Sequence, residues 1–227
     1  MRVVERLRAV SPSLVTRLLQ ISNNTVLSDE KFMAVYWELI RENRMLLTIR
    51  EAYNISRYVS ETSALGGAIA EVGVYKGGGA KLISRFKTGD TPLHLFDTFE
   101  GMPEVDSDVD LYRKGDLSDV DFDDVKSYLS ECSNVFFHKG FFPETAKEIS
   151  GDTPFSFVHL DVDPYASTLS GLDFFFPRLQ RGGVLISHDY ATISCPGVKM
   201  AFDEYFSDKQ EDVVHLWDTQ CYVKKRG

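Results

Sequence analysis

Apolar residues recur at helical spacing as the chain opens. Val4, Leu7, Val10, Leu14 and Leu18 share one face between Val3 and Leu19, and Ser11-Pro12 is expected to divide that segment into two helices. Ser28-Asp29-Glu30 reads as a helix start, with Phe32, Val35, Tyr36, Leu39 and Ile40 forming the apolar face that follows. A third helix is predicted from Met45 to Ser60. Beyond Gly66-Gly67 the period changes. Short apolar runs of strand length, Ala68 to Val72, Leu93 to Phe96, Asn134 to Phe137, Phe155 to Leu160 and Gly183 to Ser187, alternate with helical stretches. Those helices are expected over Gly78 to Arg85, over Asp119 to Ser130, through Leu169, Leu172, Phe175 and Phe176, and over Pro196 to Tyr205. Asp212 to Trp217 and Gln220 to Lys224 read as two closing strands. The alternation predicts an α/β fold: a seven-stranded, mostly parallel sheet ending in an antiparallel hairpin. Residues 1–65 are expected to form an N-terminal helical extension, covering a sheet edge, closing over a site as a lid or making a subunit contact. Residues 66–227 are the expected ligand-binding domain, and the whole reads as one compact unit.

The first strand runs into Glu71-Val72-Gly73-Val74-Tyr75-Lys76-Gly77-Gly78-Gly79-Ala80. A strand that ends in an acid and turns through glycines into a helix is how an α/β protein builds a nucleotide-type cofactor site. Gly73 permits a tight turn and close backbone approach, and Gly77 to Gly79 are expected to leave helix N–H groups bare for a ligand. The spacing matches neither the dinucleotide pattern G-x-G-x-x-G nor the phosphate loop G-x-x-x-x-G-K-[ST]. Glu71 would repel a pyrophosphate, but it suits the cationic amino-acid end of S-adenosylmethionine. A dinucleotide site and a purely structural turn stay open on this stretch alone. Asp97, closing the second strand in Asp97-Thr98-Phe99-Glu100-Gly101-Met102-Pro103, is placed to accept hydrogen bonds from ribose hydroxyls; as a structural residue it would cap a turn. Phe141-Phe142, after the third strand, would flank an adenine ring or pack in the core.

Composition narrows the partners. The chain has 227 residues, 43% of them hydrophobic and 26% charged, as in an ordinary globular protein. Its formal net charge of -9 argues against nucleic acid or an anionic membrane surface, which need clustered Lys and Arg. Cys132, Cys195 and Cys221 form no C-x-x-C pair, which suits a reducing compartment. Arg2, Glu5, Arg6 and Arg8 deny the opening residues the apolar core of a signal peptide, and no apolar run reaches membrane-spanning length. A cytoplasmic location is expected. Asp106, Asp108 and Asp110 alternate like the start of a calcium loop, yet Leu111 and Leu117 stand where such a loop needs glycine and glutamate. A surface loop over 101–117, near the mouth of the site, is the expected reading.

A second constellation lies at the ends of the fourth and fifth strands: Asp161-Val162-Asp163-Pro164-Tyr165-Ala166-Ser167-Thr168 and His188-Asp189-Tyr190. Ligands of a parallel sheet sit at the carboxyl ends of its strands, so Asp161, Asp163, His188 and Asp189 should converge beside the glycine turn. Carboxylates with one imidazole suit Mg²⁺, Mn²⁺ or Ca²⁺. Such a cation lowers the pKa of an acceptor hydroxyl, whose proton a free carboxylate can remove. The structural alternative is that these acids cap the next helices, Asp163 before Pro164 above all.

Five stretches carry a resemblance, in order along the chain: Glu71 to Gly78, Asp97 to Pro103, Gly140-Phe141-Phe142-Pro143-Glu144-Thr145, His159 to Thr168, and Asp189-Tyr190. Together they resemble the macrocin O-methyltransferase family over about residues 45 to 207, within the class I, Rossmann-like S-adenosylmethionine-dependent methyltransferases. The resemblance implies a metal-dependent enzyme that methylates hydroxyls of small natural products, often on sugars. It assigns Glu71 and Gly73 to the cofactor, Asp97 to its ribose, Asp161 and Asp189 to the cation and Asp163 to the general base. Candidate cofactor residues are thus Glu71, Gly73, Val74, Tyr75, Asp97, Thr98 and Asp161; candidate cation ligands are Asp161, Asp189 and His188. His188 departs from the family's usual second aspartate, which either turns the site from Mg²⁺ toward Mn²⁺ or later metals or removes one ligand. Pro164 also replaces a residue commonly apolar there. Metal-free transfer to nitrogen or carbon, and a non-catalytic protein that binds S-adenosylmethionine, are the competing readings. The expected partner is a hydroxylated small molecule, with a homodimer or larger assembly possible.

Overall fold

The computed structural model describes residues 25–102, 113–216 and 218–227; the helices expected before residue 20 and the alternating acids at 106–110 lie outside them. Helices α1 (Thr25–Ser28), α2 (Glu30–Arg41) and α3 (Ile49–Thr62) precede the first strand. Asp29 caps α2, its Oδ1 accepting from the Phe32 amide at 2.9 Å. The third helix starts at Ile49, not Met45, because Thr48 and Glu51 form a capping box around its first turn. The residues skipped still pack. Met45 and Leu47 are buried in an irregular link.

The domain then runs β1 (Ala68–Val72), α4 (Gly78–Phe86), β2 (Leu93–Asp97), α5 (Phe122–Tyr128), β3 (Val135–Lys139), β4 (Phe155–Leu160), α6 (Tyr165–Arg178), β5 (Leu179–Ser187), α7 (Pro196–Tyr205), β6 (Val214–His215) and β7 (Cys221–Lys224). The seven strands form one sheet in the order β3-β2-β1-β4-β5-β7-β6, parallel except where β7 meets β5 and β6. The expected α/β architecture is present. Boundaries differ where a cap or a pairing decides: Asp121 shortens the helix expected from Asp119, and β5 begins at Leu179 through its pairing with Phe155. Among the described residues of the expected strand over 212–217, only Val214–His215 pair with β7.

Two apolar layers flank the sheet. One holds Ile69, Leu95, Phe157 and Ile186 against Phe32, Ile55, Ala80 and Ile83; the other holds Val72, Phe96, Val158 and Leu160 against Leu172, Phe175, Val198 and Phe202. The helices before β1 therefore contribute to the same core as the sheet. Ile55→Ala, at a fully buried position, is expected to cost about 2–5 kcal/mol of global stability, read from denaturant unfolding. A loss confined to a separate, earlier transition would instead make those helices an appendage. No helix among the described residues is long and apolar enough to cross a membrane.

Candidate active site

Strand β1 neighbours β2 on one side and β4 on the other, so the chain crosses in opposite directions from it and leaves a crevice at the carboxyl ends. A cavity of about 320 Å³ opens there. It brings together all the residues expected from the sequence: Glu71, Gly73, Val74, Tyr75, Asp97 and Thr98 on one side, Asp161, Asp163, His188 and Asp189 on the other.

Gly73 joins the two halves. Its φ is +88°, and a Cβ placed on it would lie 1.8 Å from the carbonyl oxygen of Asp161. The three later glycines serve close packing more than bare amides. A Cβ on Gly78 would strike the Arg44 carbonyl at 2.5 Å, one on Gly79 would strike Glu71 Oε1 at 2.4 Å, and Gly77 takes φ +85° beneath Val125 and Tyr128. The turn is further pinned by Asp97. Its Oδ2 accepts from the amides of Val74 and Tyr75 at 2.7 and 2.9 Å, and its Oδ1 from Phe99 at 2.7 Å. A carboxylate has about four acceptor positions, which leaves Asp97 capacity for one more donor from the cavity.

Glu71 is buried, and burial first, then the nearby Asp161 and Asp97 charges, push its carboxyl above the usual range against the pull of His159. His159 faces it from β4 in direct register, Nδ1 to Oε1 at 3.0 Å. Glu71 Oε2 and His159 Nε2 have no partner among the described residues. An orphaned carboxylate oxygen buried in a cavity fits a cationic ligand group, because leaving it unpaired is costly. Of the aromatic pair, Phe142 belongs to the core, stacked on Phe175 at 5.5 Å, while Phe141 is exposed at the cavity mouth.

On the other side His188 sits among carboxylates. Its Nδ1 lies 2.7 Å from Asp189 Oδ2 and 3.3 Å from Asp161 Oδ1, and its Nε2 lies 3.4 Å from Glu51 Oε2. Burial opposes a charged imidazole, but Asp161, Asp189 and Glu51 outweigh it and raise His188 far above its ordinary range. His188, with hydrogen bonds from Thr219 and the Thr48 amide, holds Glu51 down at about 2 despite its burial. Thr192 Oγ1 donates to Asp189 Oδ1 at 2.7 Å. Asp163 behaves oppositely. Burial, then the charges of Asp161 and Asp189, raise its carboxyl well above the usual range, and the Cys195 thiol donates to its Oδ1 at 3.5 Å. Asp163 and Asp189 take φ +57° and +58°, uncommon backbone for a non-glycine residue and frequent at functional sites.

One donor atom each from Asp161, His188 and Asp189 lie within 4.8 Å of one another. Two carboxylates and an imidazole at that spacing fit a divalent cation of the Mn²⁺ type. Three contributors were not expected from the sequence. His159 carried a faint signal, as a polar residue two positions before Asp161 in an apolar strand. Glu51 reads only as a capping-box glutamate, and Cys195 reads only as a buried thiol.

The sequence and fold have relatives. Residues 41–225 match the family model Macrocin-O-methyltransferase (TylF). The chain is 28% identical over 177 residues to demethyldecarbamoylnovobiocin O-methyltransferase of Streptomyces niveus, covering 70% of this chain and 66% of that one. It is 29% identical over 143 residues to 8-demethyl-8-(2,3-dimethoxy-alpha-L-rhamnosyl)-tetracenomycin-C 4'-O-methyltransferase of Streptomyces olivaceus, covering 57% and 55%. The chain thus spans just under two thirds, or less, of the length of these curated relatives. The solved structure of the O-methyltransferase NovP shares the fold, with a TM-score of 0.72 at 24% identity over 81% of this chain and 83% of that one. With its family model matched over most of its length, the chain belongs to the macrocin O-methyltransferase family.

Proposed function

We propose that this protein transfers the methyl group of S-adenosylmethionine to a hydroxyl oxygen of a small natural-product intermediate, with a sugar hydroxyl as the first acceptor to test. The observation that carries the reading is the shared cavity, in which the Glu71-Gly73-Asp97 turn and the Asp161-Asp163-Asp189 cluster meet across the contact of Gly73 with Asp161. Glu71 takes the donor's ammonium on its free oxygen, Asp97 its ribose, and the residues around Val74, Tyr75 and Thr98 its remaining surface. The sugar acceptor is suggested by the rhamnosyl substituent in the name of the Streptomyces olivaceus relative.

In the reaction the acceptor oxygen attacks the methyl carbon, the carbon–sulfur bond breaks, and the electron pair returns to sulfur to leave S-adenosylhomocysteine. The acceptor's proton passes to Asp163, whose carboxylate is made more basic by burial and by the charges of Asp161 and Asp189. Asp161, His188 and Asp189 would hold the divalent cation, which when bound supplies acidity to the acceptor hydroxyl and fixes its position. Alignment of donor and acceptor supplies much of the remaining acceleration. The irregular link between α2 and α3 closes one wall through Arg44 to Leu47. Three free cysteines support a cytoplasmic setting.

The test is methyl transfer from labelled donor to a panel of hydroxylated glycosides. Turnover should fall in excess chelator and return with added Mn²⁺. A second reading has its own support, because the three carboxylates of Glu51, Asp161 and Asp189 around the His188 ring would themselves hold it as a cation in place of a metal. Under that reading transfer is metal-independent, and undiminished turnover in excess chelator selects it.

A further inference from the structure

The nitrogen of His188 that faces away from the strand-end acids is held by a residue from outside the sheet. Nε2 stands 3.4 Å from Glu51 Oε2, at ion-pair distance but off the line of a hydrogen bond. Glu51 is 2% exposed, and two further segments pin it. Its Oε2 accepts from the Thr48 amide at 2.9 Å, and its Oε1 accepts from Thr219 Oγ1 at 2.6 Å. Thr48 caps α3, and Thr219 lies in the turn between β6 and β7. Thr48 Oγ1 also donates to Asp218 in that turn at 3.0 Å. A capping box accounts for the Thr48 contact alone. It requires neither Thr219 nor burial of the carboxylate against an imidazole.

We infer that Glu51 is a positioning residue of the active site: its carboxylate, at ion-pair distance from Nε2, keeps the proton on that nitrogen and fixes the His188 ring so that Nδ1 is the nitrogen presented to the space between Asp161 and Asp189. The inference rests on the cation reading given above. A carboxylate behind a ligating imidazole fixes its tautomer and orientation and strengthens it as a ligand. Selectivity follows from the donor set. Two carboxylates and one such imidazole prefer a first-row transition cation such as Mn²⁺ or Co²⁺ to Mg²⁺ more strongly than three carboxylates do.

Binding, not turnover, tests this. Calorimetric titration of the full chain with MnCl₂ and MgCl₂ is to be compared among the unsubstituted protein, Glu51→Gln, Thr219→Val and His188→Asp, with the visible absorption of added Co²⁺ as a second readout. Glutamine is accepted at the third helical position of a capping box, so Glu51→Gln should keep the melting temperature and the affinity for S-adenosylhomocysteine. It is expected to lose about 10- to 100-fold in Mn²⁺ affinity and to change the Co²⁺ spectrum. Thr219→Val, which loosens Glu51 without touching the cap, should shift both in the same direction and decides the matter if Glu51→Gln does not fold. His188→Asp should narrow the preference for Mn²⁺ over Mg²⁺ by about tenfold or more. Unchanged Mn²⁺ affinity in both Glu51→Gln and Thr219→Val overturns the role of Glu51 while leaving the cation reading in place. Absence of Mn²⁺ binding to the unsubstituted protein overturns both.

Discussion

Asp163→Asn is expected to lower kcat by about 10²- to 10⁴-fold, the span usual for loss of a positioned general base, while affinity for S-adenosylhomocysteine stays within about twofold. The substitution isolates the proposed proton acceptor. Asn tolerates the left-handed backbone at this position at least as well as Asp, so φ +57° adds no strain. Its side-chain oxygen can still accept from the Cys195 thiol, which now donates to Asp163. Folding should not suffer either. Burial and the charges of Asp161 and Asp189 already disfavour an ionised group here, and a neutral amide avoids that cost. Steady-state kinetics at saturating donor and cation, with calorimetry for the product thioether, separate the outcomes. A fall in cofactor affinity equal to the fall in kcat would make Asp163 a structural member of the pocket, and unchanged kcat would remove it from the mechanism.

Gly73→Ala should be the most disruptive single-methyl change in the molecule, costing about 4 kcal/mol or more and abolishing detectable binding of S-adenosylhomocysteine. The added carbon would stand 1.8 Å from the Asp161 carbonyl oxygen and 2.8 Å from its carbonyl carbon. Neither side can give way easily. The Gly73 amide donates to Phe96 O at 2.9 Å, and the Asp161 amide donates to Val72 O at 2.8 Å, so both backbones are tied into central strands. Relief would have to move Asp161, and with it the half of the cavity proposed to hold the cation. Gly89→Ala is the control, because Gly89 also has a positive φ, +51°, but a Cβ added there would meet nothing within 4 Å. It should cost only the backbone strain, about 1–2 kcal/mol, and keep ligand binding. Equal melting temperatures for the two variants would mean that conformation, not the contact with Asp161, is what Gly73 supplies.

Much of this site could be read along the chain. Glu71, Gly73 and Asp97 stand where a short-period strand stops and the helical period begins, and Asp161, Asp163, His188 and Asp189 stand at the next such changes. In a parallel sheet those positions share one edge by construction, which is why residues about 90 apart, Glu71 and Asp161, were legible as neighbours. The closing antiparallel pair was legible in the two short apolar runs over 212–217 and 220–224, whereas the order of the strands came only from the structure. Boundaries were less so, since Thr48 and Asp121 move helix starts by hydrogen bonds of single side chains that periodicity does not register.

The linear pattern alone thus determined the fold class, the edge of the sheet that carries the site and the residue types available there. Tertiary structure decided what each residue meets. Gly78 and Gly79 make room for Arg44 and Glu71, His159 is the partner of Glu71, and Phe142 is core while Phe141 is not. Above all it turned a capping glutamate of the third helix, Glu51, into the residue behind His188. The reason is geometric: period and propensity report which face of its own element a residue occupies, whereas a contact between α3, β5 and the β6–β7 turn depends on how three elements dock, which no local pattern encodes.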